Sequence, residues 1–66
     1  MDIQKLKGAR VAKGFTQETI AEKLDISTKT YNRKELGFVE FNRREIAILV
    51  DILGLTQDEV SEIFLT

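Results

Sequence analysis

The chain has no cysteine, no histidine and no proline. Without cysteine there is neither a disulfide nor a thiolate metal site to reinforce the fold. Histidine and cysteine, the usual general bases and nucleophiles, are both missing. No glycine-rich phosphate loop and no carboxylate cluster with metal-ligand spacing replaces them, so the sequence reads as a non-enzyme that calls for no cofactor and no metal. The four glycines, Gly8, Gly14, Gly37 and Gly54, are dispersed. No apolar run approaches the roughly 20 residues that span a bilayer. The opening MDIQKLKGAR lacks the apolar stretch of a signal peptide, so a cytoplasmic protein with no membrane partner is expected. Basic residues are absent beyond Arg44.

That last absence organises the charge. Residues 1–44 hold all ten bases and six acids, a balance of +4, while residues 45–66 hold five acids and no base, a balance of −5. The net −1 therefore hides a cationic end suited to an anionic partner and an acidic far end. At 66 residues the chain is one domain, residues 1–66. A chain this short buries only about 60% of its unfolded surface, so helix packing, capping and self-association must supply its stability.

The apolar positions recur at helical spacing, and no stretch alternates convincingly with period two, so an all-α fold of five helices is expected. Ile3, Leu6 and Arg10, with Val11 beside them, mark a first helix over about 2–13, stopped by Gly14. Thr16 caps a second, about 17–24, that buries Ile20, Ala21 and Leu24. Asp25-Ile26-Ser27 makes a tight turn. Ser27 caps a third helix, 28 to about 36, ended by Gly37. Asn42 with Glu45 starts a fourth helix, and Thr56 with Glu59 a fifth, each as a capping box. The fourth presents Ile46, Leu49, Val50 and Leu53 on one face and Ile48 and Ile52 on the other. Such a helix is central or packed on a partner.

The third helix divides its residues. Tyr31 and Glu35 face inward, whereas Lys29, Asn32 and Arg33 face outward with Thr28 at the leading edge. A helix anchored behind and bearing long polar side chains in front suits the major groove of DNA. Arg10 and Glu35 both lie on inner faces. An unpaired buried ion costs several kcal/mol, so the two are expected to pair.

Taken together these segments resemble the phage repressor/Cro-type (XRE) helix-turn-helix family. The resemblance runs from Leu6 to Phe64. It rests on Arg10, Phe15-Thr16-Gln17, Ile20 to Leu24, Ile26-Ser27, the polar helix Thr28 to Glu35, Gly37, and the Leu53-Gly54-Leu55-Thr56 junction. It implies a compact five-helix, lambda-repressor-like domain that regulates transcription by binding double-stranded operator DNA as a homodimer. Thr28, Lys29, Asn32 and Arg33 would touch bases. Gln17, Ser27, Lys34 and Arg43 would touch the DNA backbone, and Arg10–Glu35 would be the structural ion pair. The chain departs from the family at Asp25, where the turn usually carries Gly, at Lys34, which must snorkel or reach phosphate, and at Leu36. With Phe38, Val39 and Phe41, Leu36 makes an apolar loop that needs a fold-back or a partner. That loop with the acidic C-terminal half, or alternatively the fifth helix with Ile63, Phe64 and Leu65, is the expected dimer interface. A competing reading is a protein-interaction module or an antitoxin with the same fold.

Overall fold

The computed structural model describes residues 1–65. Among them the chain forms five α-helices: α1 (Ile3–Ala12), α2 (Gln17–Leu24), α3 (Thr28–Glu35), α4 (Arg43–Ile52) and α5 (Gln57–Phe64). The helices begin where they do for a shared local reason. Asp2, Thr16, Ser27, Asn42 and Thr56 each accept a hydrogen bond from the backbone N–H three residues on. Each such cap contributes typically ~1 kcal/mol. Asn42 and Thr56 complete reciprocal capping boxes with Glu45 and Glu59.

The ends are equally local. Gly37, at φ 88°, closes α3 while the Phe38 N–H returns to the Arg33 carbonyl. A Cβ on Gly37 would stand 3.4 Å from Ile3 Cγ2, an ordinary contact, so the positive φ rather than lack of space is what favours glycine here. Between α2 and α3 the left-handed position falls to Asp25, at φ 59°. Asp adopts this conformation more readily than most side chains, and the turn still closes by the Ile26 N–H bonding the Ala21 carbonyl.

The core is Leu6, Ile20, Ala21, Leu24, Tyr31, Phe41, Leu49, Leu53, Leu55 and Ile63. α2 packs on α3 and α4, and α1 on α3 and α5. Tyr31 and Phe41 meet with ring centroids 6.0 Å apart, and Phe64 stands edge-on to Phe41. The α3–α4 loop is therefore split: Phe41 folds into the core, whereas Leu36, Phe38 and Val39 remain exposed. Ile48 and Ile52 are half-buried against the core rather than forming a second outward face. Val11, expected beside the inner stripe of α1, is exposed.

Lys34 departs furthest from expectation. It does not snorkel to water. It is buried, with Nζ 2.6 Å from Glu45 Oε1, 3.4 Å from the Glu40 carbonyl and 5.8 Å from the Phe41 ring centre. Glu45 Oε1 also accepts the Asn42 N–H. One oxygen thus caps α4 and pins α4 to α3. Burial would raise the Glu45 pKa, but the Lys34 and Asn42 hydrogen bonds outweigh it and hold the carboxyl below its ordinary value.

Removing one member of such a pair strands the other. Lys34→Met is expected to lower the unfolding free energy by about 3–5 kcal/mol, read by urea denaturation. Adding Glu45→Gln should recover much of the loss, because glutamine retains the cap. A single variant as stable as the parent would contradict the clamp.

Candidate nucleic-acid interface

α3 has eight residues and is about 12 Å long. Its inner side carries Tyr31, Lys34 and Glu35, all buried. Its outer side carries Thr28, Lys29 and Arg33, exposed to solvent, with Asn32 half-buried between them. What fixes this orientation is the group behind the helix. Glu35 receives four hydrogen bonds, two on each oxygen. Oε2 accepts from Arg10 Nε at 2.8 Å and Tyr31 Oη at 2.7 Å, and Oε1 accepts from Arg10 Nη2 and Gln17 Nε2, both at 3.1 Å. A carboxylate has about four lone-pair positions, so its accepting capacity is filled. The remaining guanidinium nitrogen, Arg10 Nη1, bonds the Phe15 carbonyl at 2.7 Å. No buried side-chain nitrogen or oxygen among the described residues lacks a partner.

The electrostatics follow from this geometry. Burial pushes the Glu35 pKa up, yet the bonds from Arg10, Tyr31 and Gln17, with the Arg10 charge, win and hold it below the ordinary carboxylate value. Arg10 is raised chiefly by its bond to Glu35. Tyr31 is raised by burial and by the adjacent carboxylate. At neutral pH the cluster is one cation, one anion and one neutral phenol.

The four residues expected at the DNA backbone are placed differently from one another. Arg43 is exposed as the first residue of α4. Lys34 is turned inward, as described, because Glu45 offers it a buried anion. Ser27 is exposed, but its hydroxyl accepts the Thr30 N–H and donates to Thr30 Oγ1 at 2.8 Å, so its hydrogen is engaged in the cap. Gln17, expected to donate to phosphate, gives its amide nitrogen to Asn32 Oδ1 at 3.0 Å and to Glu35 Oε1. The pairing of Glu45 with Lys34 and the inward use of Gln17 were missed from sequence. The available signal was that an inward Lys34 requires an acid, and Glu45 opens the next helix.

The sign of the pH response depends on Arg10. In the parent, the lowered Glu35 pKa means this stabilisation is full above the unfolded value near ~4.3 and is lost as pH falls through the lower folded value. In Arg10→Met the bond and charge of Arg10 are lost while burial and the Tyr31 and Gln17 bonds remain, so the Glu35 pKa moves upward and protonation relieves part of the cost. Arg10→Met should therefore cost about 3–5 kcal/mol at pH 7 and distinctly less near pH 4, measured by denaturation at both. An equal cost at both pH values would contradict the pairing.

The comparisons agree with this geometry. A family described as "Helix-turn-helix domain" matches residues 4–63. Among curated proteins, the chain is similar to an uncharacterised, SPbeta prophage-derived HTH-type transcriptional regulator, YonR, of Bacillus subtilis (strain 168). The two are 33% identical over 55 residues, which is 83% of this chain and 51% of the relative. The chain thus spans about half the length of that relative. No solved structure matches significantly. No helix among the described residues is long and apolar enough to cross a membrane. With a buried Arg–Glu pair behind an exposed polar helix, and a family match over nearly its whole length, the chain belongs to the XRE-like helix-turn-helix family, a DNA-binding class rather than a class of enzymes.

Proposed function

We propose that the protein is a sequence-specific transcriptional regulator of the repressor/Cro type that reads operator DNA with α3 in the major groove. The observation that carries this reading is the outer face of α3: Thr28, Lys29 and Arg33 exposed in front of a helix whose back is held by the buried Glu35. The Arg33 guanidinium suits the O6 and N7 of guanine, Lys29 suits the same acceptors, Asn32 offers an amide to a neighbouring base, and Thr28 meets a thymine methyl or a phosphate. Arg43 supplies a phosphate contact. Lys34 has no part in DNA binding, and the phosphate role first expected of Gln17 and Ser27 passes to exposed cations. Each phosphate neutralised steepens the salt dependence by roughly 0.9 in the log–log slope.

One helix of this length touches only a few base pairs, so useful specificity calls for two copies on half-sites about 34 Å apart. The domain has principal extents of 28 × 23 × 20 Å, which suits two copies side by side at that spacing. The exposed Leu36, Phe38 and Val39 are the best candidates for the contact, since Phe41 and Ile63 are withdrawn into the core.

Two measurements test the proposal. Selection of bound duplexes from a random pool is expected to return a two-fold symmetric motif. Arg33→Ala should flatten one guanine position in each half-site and cost about 1–3 kcal/mol there; unchanged affinity and preference would remove α3 from the recognition role. Sedimentation of the protein with the selected duplex should give two protomers per site. Phe38→Ser should weaken that assembly while leaving the thermal melt of the free protein nearly unchanged, because Phe38 is 74% exposed. A stoichiometry of one protomer per site would refute the homodimer.

A further inference from the structure

Gln17 stands at the junction between the buried ion pair and the outer face of α3. Its Nε2 carries two hydrogens, and both have acceptors: Glu35 Oε1 at 3.1 Å and Asn32 Oδ1 at 3.0 Å. The direction of this chain of bonds follows from charge. A carboxylate paired with an arginine accepts and cannot donate. The end of the Gln17 amide that meets Glu35 must therefore be its NH2. The atom of Asn32 that meets the same nitrogen must then be an acceptor, the carbonyl oxygen. Amide ends are told apart by such networks, and here the network has an ionic anchor at one end. Asn32 is consequently held with its oxygen toward α2 and its Nδ2 turned away.

We infer that Gln17 is a positioning residue for base specificity: it hands the polarity of Glu35 on to Asn32, so that Asn32 faces the base edge as a hydrogen-bond donor and rejects cytosine. The inference rests on the proposed reading of α3 as the base-reading helix and adds to it a rule for one base. In the major groove guanine offers O6 and N7, adenine N7 beside its N6 amine, and thymine O4, so each presents an acceptor, whereas cytosine offers only its N4 amine, a donor. An asparagine free to rotate its amide would serve either kind. An asparagine fixed through Gln17 meets cytosine donor to donor. Asn32, bonded to Gln17, is half-buried, whereas Lys29 and Arg33 are exposed.

The test is selection from a random duplex pool, followed by competition binding with all four bases at each half-site position. It is run on the parent, Asn32→Ala, Asn32→Asp and Gln17→Leu. Asn32→Ala identifies the position, as the one whose preference it erases. There the parent should bind cytosine about ten-fold or more weakly than the best base. Asn32→Asp still accepts from Gln17 but turns an acceptor outward, and should make cytosine the favoured base. Gln17→Leu should cut the discrimination at that position to about three-fold or less, while the guanine position assigned to Arg33 keeps its preference. Tolerance of cytosine by the parent, or a Gln17→Leu profile unchanged apart from uniformly weaker binding, would overturn the inference and leave α3 as the reading helix. If Gln17→Leu fails to fold, Gln17→Met decides: discrimination against cytosine as strong as in the parent refutes the positioning role. A parent that selects no duplex would overturn the groove reading itself, and this inference with it.

Discussion

Glu35 is the residue on which the rest of the structure turns. It sits behind α3 with each oxygen taking two hydrogen bonds, from Arg10, Tyr31 and Gln17. Those donors come from α1, α3 and α2, so a single carboxylate ties three helices at one point. A buried ion pair is weak evidence for net stability, because desolvation of both charges offsets much of their attraction. Its value here is directional. Hydrophobic packing alone tolerates rotation of a short helix, whereas a carboxylate with four occupied positions does not. The pair fixes which side of α3 faces outward, and the exposed Lys29 and Arg33 follow from that.

A second buried pair does the corresponding work at the other end of α3. Lys34 and Glu45 join the end of α3 to the start of α4 across the intervening loop. The oxygen that meets Lys34 also caps α4, so the entry of the fourth helix and the exit of the third are set by one atom. For a domain whose total stability is of the order of 0.05–0.15 kcal/mol per residue, two polar clamps and five caps matter as much as any core side chain. They also specify geometry that Leu6, Ile20, Leu24, Leu49 and Leu53 cannot specify by packing alone. The consequence at the surface is a clear division of labour in the α3–α4 loop: Phe41 is drawn in beside Lys34 and Tyr31, and Phe38 is left out.

The parts legible in the sequence were those decided locally. Thr16, Ser27, Asn42 and Thr56 announce helix starts because the cap bond spans only three residues, and Gly37 announces a stop because its backbone takes a positive φ. Asp25 could be read as tolerating the left-handed turn, and it adopts φ 59°. The inward placement of Arg10 and Glu35 was legible because Arg10 falls in register with Ile3 and Leu6, and Glu35 one turn after Tyr31. What could not be read were partners chosen by tertiary placement. Lys34 looked like a side chain in search of water or phosphate, because nothing local says that the first turn of α4 will lie 11 residues on and 2.6 Å away. Gln17 was expected at phosphate because the family resemblance assigns that role to the first residue of the second helix. That its amide turns back to Asn32 and Glu35 depends on the crossing of α2 with α3. In each case the sequence shows that a polar group needs a partner, and only the packing decides which.

The central claim is that the ion-pair-anchored α3 presents its outer face to base edges. Titrating isotopically labelled protein with the selected duplex and following amide and side-chain resonances tests it most directly. The account predicts that the largest shifts fall on Thr28, Lys29, Asn32 and Arg33, with the Arg10, Tyr31 and Glu35 signals remaining those of an intact buried cluster and α5 nearly unmoved. Shifts concentrated on α4 and α5 with α3 silent would contradict it.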